Sequence, residues 1–186
     1  MLNFIINSED HLSQLIIEKG ITSWKELIAY IKTIPYGRNS NRIDSKLVIS
    51  ENKGTCSSKH ALLKKIADLN GAQNIELIIG IYKMNNINTP KIGSILLDNH
   101  IKYIPEAHCY LRYKDKTIDV TSNSSDFERI KKDIIIENRI APDQVGAFKV
   151  AYHKGFIKNW IISEKLHFSF DEIWEIRELC IKNLSN

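Results

Sequence analysis

Three side chains in this 186-residue chain have the types and the order that nucleophilic chemistry needs: Cys56, His108 and Asp119. Cys56 follows Gly54-Thr55 and precedes a run with helical spacing of apolar residues, so its thiol falls in the first turn of a helix. Unpaired backbone N–H groups and the positive end of the helix dipole meet there, and both favour the thiolate, the nucleophilic form of cysteine. The small neighbours Gly54, Thr55, Ser57 and Ser58 leave room for a carbonyl, and the Cys56 N–H can donate to an oxyanion. The plain alternative is a small buried hydrophobe, a role cysteine often fills.

A nucleophilic cysteine needs a base, and the base needs an acceptor that orients it. Residues 106–121 read as a β-hairpin about Lys114-Asp115, with Cys109, Leu111, Ile118 and Val120 on one face and His108, Tyr110, Asp119 and Thr121 on the other. A two-residue turn keeps paired positions on a common face, so His108 and Asp119 project the same way. Asp119 then accepts from one imidazole nitrogen and fixes the tautomer. Glu106 shares the face of His108, either to tune it or as a solvated strand-end charge. Asn52 is the candidate oxyanion side chain, with a turn-forming role as its alternative. A zinc site from Cys56, His60 and His108-Cys109 fits less well: Cys109 points away from His108, and no C-x-x-C pair is present, so no metal is expected.

The elements that must position these residues alternate legibly. Ser8 is a candidate cap for a helix carrying Leu12, Leu15 and Ile16 and ending at Gly20. Ser23 with Glu26 forms a capping box for a second helix with the stripe Leu27, Ile28 and Ile31, stopped by Pro35. The polar stretch from Tyr36 to Arg42 is a loop, with Tyr36 and Arg38 as candidate substrate contacts. The Cys56 helix closes at Asn70-Gly71. Ile75 to Tyr82 is a buried strand, and residues 83–104 make a loop-helix excursion around Pro90 and Gly93. The C-terminal third returns to helices, with a capping box at Ser169/Glu172 and a stripe of Ile173, Ile176, Leu179, Cys180 and Leu184. Cys180 and the three tryptophans, Trp24, Trp160 and Trp174, are read as packing residues.

The segments Gly54-Thr55-Cys56-Ser57-Ser58-Lys59-His60-Ala61-Leu62-Leu63, Pro105-Glu106-Ala107-His108 and Thr117-Ile118-Asp119-Val120-Thr121 together resemble the transglutaminase-like superfamily of papain-type folds. The resemblance covers about residues 35–125. It implies an α+β domain with an antiparallel sheet packed on the Cys56 helix; with no repeat, low-complexity block or flexible linker in the sequence, a single domain is expected over 1–186, with helical flanks at 1–34 and 126–186. It also implies Cys56 as nucleophile, His108 as base and Asp119 as the orienting carboxylate. The activity it implies is acyl transfer on an amide bond through a Cys56 thioester. Water as acceptor gives a peptidase or amidase, and an amine gives a transamidase; the substrate is a protein, peptide or small amide, and no cofactor is called for. The alternative is a catalytically inactive member serving as a binding or scaffold domain.

Composition narrows the field further. Hydrophobic residues at 43% and charged residues at 26% exclude wholesale disorder. At this length folding buries roughly 70% of the extended-chain surface, enough for a core without staples. The net charge of +4 comes mostly from scattered lysines, without the clustered Arg and Lys of a nucleic-acid surface, so no nucleic-acid partner is expected. No apolar run reaches the ~20 residues of a membrane span. Met1 to Asp10 lacks the features of a secretory signal, and the three cysteines are an odd number, so a reducing cytoplasmic setting is expected.

Overall fold

A computed structural model describes residues 2–184. The described chain is α+β. Helices α1 (His11–Ile17), α2 (Trp24–Thr33), α3 (Leu47–Ser50) and α4 (Cys56–Leu69) come first. Then follow β1 (Ile75–Met84), α5 (Ile95–Asp98), β2 (Ile104–Tyr113), β3 (Lys116–Ile118), α6 (Glu128–Lys131), β4 (Ile134–Ile140), α7 (Ala147–Ser163) and α8 (Phe170–Asn183). Short 3-10 turns lie at Pro90–Ile92 and Pro142–Val145. The strands form one four-stranded antiparallel sheet in the order β3-β2-β1-β4. Strands β2 and β3 pair with Leu111 opposite Ile118 and Tyr113 opposite Lys116, which leaves the expected two-residue turn at Lys114-Asp115.

The chain gathers into two compact units. One holds the residues up to Ile78 with Cys109–Ser125 and Arg139–Gly146; the other holds Ile79–His108, Asp126–Asn138 and the chain from Ala147 on.

The first unit is organised around α4. A helix is buried on all sides only when neighbours cover every face, and α4 meets α1, α2, α3 and the 142–145 turn. Its buried residues run without interruption from Cys56 to Lys64, polar ones included. Leu62, Leu63 and Ile66 of α4 join Ile16, Trp24, Leu27 and Ile31 as fully or almost fully buried core side chains. Asn70, the α4 C-cap, fastens the N-terminal segment: its Oδ1 accepts from the N–H groups of Asn7 and Ser8, and its Nδ2 donates to Ser13 Oγ. The Ser23/Glu26 capping box of α2 is formed as expected.

The α1 cap corrects the sequence reading. Asp10, not Ser8, caps α1, because its Oδ1 accepts from both Leu12 N–H and Ser13 N–H at 2.9 Å. Ser8 lies a residue too early; its own N–H goes to Asn70.

In the second unit, α8 packs against α5, α7 and the Pro90–Ile92 turn. The Ser169/Glu172 capping box is present, and Ile173, Ile176, Cys180 and Ile181 are the buried face of α8. Leu179, expected on that face, is 46% exposed, and Ile181 takes its place. The flank expected to be helical also contributes β4. This strand grows from the β-branched run Ile134-Ile135-Ile136, too short for helical periodicity to decide.

Candidate functional site

Cys56 opens α4 as its first helical residue. Thr55 is the N-cap, and with Ser58 it makes a reciprocal capping box: Ser58 N–H donates to Thr55 Oγ1, and Thr55 N–H donates to Ser58 Oγ at 3.0 Å. These bonds satisfy part of the helix-start donors and fix the turn that carries the thiol. The thiol is buried, with the residue 8% exposed, and lies 3.8 Å from Ser57 Oγ.

The polar loop is tied to the same place. Tyr36 forms a parallel bridge with Gly54, through Gly37 N–H donating to the Gly54 carbonyl and Gly54 N–H donating to the Pro35 carbonyl. Asn39 Nδ2 donates to the Leu47 and Lys53 carbonyls and to Glu51, and Ser40 Oγ donates to Glu51 at 2.5 Å. Tyr36 is thus half-buried beside the helix start, while Arg38 is exposed. Asn52 is exposed as well, with a φ of 47°. That left-handed backbone is one asparagine tolerates better than most residues, which accounts for its type by turn geometry.

Two neighbours of Cys56 are tightly constrained polar groups: Lys59, which the sequence did not single out, and His60, which it offered only as a zinc ligand or as a supporting or exposed helix residue. Lys59 is 0% exposed. Its Nζ donates to the carbonyl of Ile34, the α2 C-cap, to that of Thr121 at 2.8 Å, and more loosely to that of Val120 at 3.5 Å. Burial lowers its pKa to about 8, against the opposing attraction of Asp119 and Cys56, so the ammonium persists at neutral pH. Gly54 makes way for this side chain: a Cβ there would stand 2.8 Å from Lys59 Cγ.

His60 is also 0% exposed. Val120 N–H donates to its Nε2 at 2.9 Å, so that nitrogen is unprotonated; Nδ1 then carries the proton and donates to the Cys56 carbonyl at 2.6 Å. His60 is therefore a neutral imidazole, and its 3.7 Å separation from Asp119 Oδ1 is proximity rather than an ion pair. Its two nitrogens are spent on backbone, which leaves neither for a metal. Asp119 follows directly on β3, with its Oδ1 accepting from Thr121 N–H at 3.0 Å and Thr121 Oγ1 at 2.6 Å. The first unit thus brings Cys56, Lys59, His60 and Asp119 together.

His108 is half-buried in β2, with its ring edge-on to Tyr82 at 6.2 Å between centroids. Within the second unit Glu106 is neither a solvated charge nor spare for tuning. It is 6% exposed and clamped by Arg177, whose Nε and Nη2 donate to its two oxygens at 2.8 and 2.5 Å. Burial pushes its pKa up, but the charges of Arg177 and His153 prevail and hold it near 2. His153 donates from Nε2 to the Pro105 carbonyl at 2.7 Å. Cys180 is buried as expected, and burial, with Glu106 nearby, lifts its thiol to about 11. Trp24 and Trp160 are buried, as packing residues should be. Trp174 is half-buried, between Lys154 and Arg177 at 4.9 and 5.2 Å from its ring.

The sequence carried a faint signal for the Lys59-His60 pair: two polar residues inside the apolar stripe of a helix that begins with cysteine. Among the described residues no three His, Cys, Asp or Glu side chains gather as a metal site, and no helix is long and apolar enough to cross a membrane. Compared with family models, curated proteins and solved structures, the chain matches none.

Proposed function

We propose that the chain is a thiol acyltransferase or hydrolase of transglutaminase-like type, acting on an amide bond through a Cys56 thioester. Cys56 attacks the carbonyl carbon, His108 takes the thiol proton and delivers it to the departing amine, and Asp119 holds the imidazole in its productive tautomer. Water or an amine then attacks the thioester carbonyl and gives up a proton to the now neutral His108, and collapse of the adduct breaks the C–S bond and releases the Cys56 thiolate.

The observation that carries this reading is the His60 bridge. One imidazole binds the Cys56 carbonyl and the N–H of Val120, so the residue after Asp119 is fastened to the turn that bears the thiol. Two further features support it. The thiol sits at the capped start of a 14-residue helix, where N–H groups and dipole favour the anion. The hairpin register sets Leu111 opposite Ile118, which agrees with the two-residue turn from which the common face of positions 108 and 119 is expected.

The second reading, a binding domain without turnover, is favoured by the 8% exposure of Cys56. Acylation separates the two. On exposure to 4-nitrophenyl acetate, peptide mapping should find an acetyl group on Cys56 that discharges to water or hydroxylamine. The adduct should form at least a hundredfold more slowly in His108→Ala and Asp119→Ala. An unmodified Cys56 would leave the binding domain as the better account.

A further inference from the structure

We propose that Lys59 is a positioning residue of this site: its buried ammonium, anchored on backbone carbonyls, fastens the segment that follows Asp119 and is the fixed positive charge that favours the Cys56 thiolate. The inference rests on the reading of Cys56 as a nucleophile and adds a fourth residue to it.

A lysine with no solvent contact is rare, because removing an ammonium from water costs several kcal/mol unless it is paired and hydrogen-bonded. Lys59 meets that requirement through three carbonyls from two separate segments, Ile34 at the end of α2 and Val120-Thr121 just past Asp119. A structural clamp alone needs only donors. What a neutral donor would not supply is charge. Lys59 lies one turn along α4 from Cys56, and its Nζ is bonded to the carbonyls of the two residues that follow Asp119, so the charge stands close to the two groups whose anionic forms the proposed reaction uses. His60, the other titratable group of this turn, is neutral by its hydrogen bonds and contributes no charge.

Among the described residues, the elements packed on α4 bring no competing buried charge, and the buried Lys64 of α4 itself is paired with Asp68. His11 of α1, Lys25 and Glu26 of α2, Lys46 of α3 and Asp143 are exposed, and Lys32 is half-exposed. The cost of this arrangement is visible at position 54, where only glycine leaves room for the Lys59 stem.

The test compares the pH dependence of Cys56 alkylation by iodoacetamide, followed by peptide mass spectrometry, in wild type, Lys59→Met and Lys59→Gln. The two variants remove the charge, and glutamine keeps a donor. The pH midpoint should rise by about one unit in both. A midpoint unchanged in Lys59→Gln would reduce Lys59 to a clamp and overturn the inference.

A reciprocal measurement on the wild type covers the case in which neither variant folds. Blocking Cys56 with methyl methanethiosulfonate, with Cys109 and Cys180 mapped in parallel, should lower the Lys59 midpoint seen by NMR of ε-15N-labelled lysine. No change on blocking overturns the inference. The parallel His108→Ala profile keeps the two claims apart. A midpoint that moves in His108→Ala but not in the Lys59 variants removes Lys59 and leaves the triad. The converse removes His108 and leaves Lys59 as the partner of the thiol.

Discussion

The Val120 N–H donates to His60 Nε2 at 2.9 Å, across sixty residues of sequence. Because that bond assigns the proton to Nδ1, one imidazole spans from the start of α4 to the end of the β2-β3 hairpin in a single tautomer. His60, in the turn that follows Cys56, is therefore structural, and the proposed mechanism takes His108 as its base instead.

Replacing His60 with alanine leaves the Val120 N–H buried without its acceptor and opens a cavity beside α4. The expected loss is about 2–4 kcal/mol in urea denaturation. A loss under about 0.5 kcal/mol would show that the bridge carries no stability.

Gly54→Ala should cost about 1–3 kcal/mol, because the new Cβ stands 2.8 Å from Lys59 Cγ in a packed interior. In a Lys59→Ala background that cost should fall, since the nearest atom is gone and only Ser58 Oγ at 3.2 Å and Val48 Cγ1 at 3.4 Å remain close. Thermal denaturation of both single variants and the double variant checks this coupling; additive losses would contradict it.

Asn52 separates turn geometry from chemistry. With φ at 47°, Asn52→Gly should leave stability and Cys56 acylation close to wild type, whereas Asn52→Ala should cost about 1 kcal/mol in thermal unfolding. An oxyanion donor would behave otherwise, with acylation falling by about a hundredfold or more in both variants.

Glu106 makes the second unit acid-sensitive. Its carboxyl is held near 2 in the fold against an ordinary value of 4.5. The unfolded chain therefore takes up the proton first as pH falls. The stability this pair contributes is complete above pH 4.5 and is lost as pH drops towards 2. Chemical denaturation followed by tryptophan fluorescence from pH 6 to 2 should show that slope, and Glu106→Gln should flatten it. At neutral pH, Arg177→Met should cost about 3–5 kcal/mol by leaving the carboxylate buried without its guanidinium.

Local signals carried far in this sequence. The capping residues Ser23 and Ser169, the helix start at Cys56 and the turn at Lys114-Asp115 each announce themselves within four residues, and all are present. The β4 strand did not announce itself, because a three-isoleucine run flanked by charges fits strand and helix alike until its sheet neighbour is known. Asp10 and Ser8 differ only in which oxygen reaches the first-turn N–H groups, a matter of two residues of backbone.

At the candidate site, residue types pointed to Cys56, His108 and Asp119, but partners separated by sixty residues could not be read from them. Lys59 and His60 fall within the apolar stripe of their helix, but their types do not say what they bind. Only the covering of α4 from Cys56 to Lys64, together with carbonyls arriving from Ile34 and Thr121, shows them to be buried and spent. Glu106 was opaque for the same reason: Arg177 lies seventy-one residues away.

The central claim is that Cys56 is a nucleophile paired with His108, and iodoacetamide alkylation across pH tests it most directly. Peptide mass spectrometry separates Cys56 from Cys109 and Cys180 in wild type and in His108→Ala. The account predicts wild-type reactivity that persists well below pH 7, where a free thiol with a pKa of about 8.5 is silent, and that collapses in the variant. Reactivity that fades with an ordinary thiol midpoint and does not change in His108→Ala would contradict it.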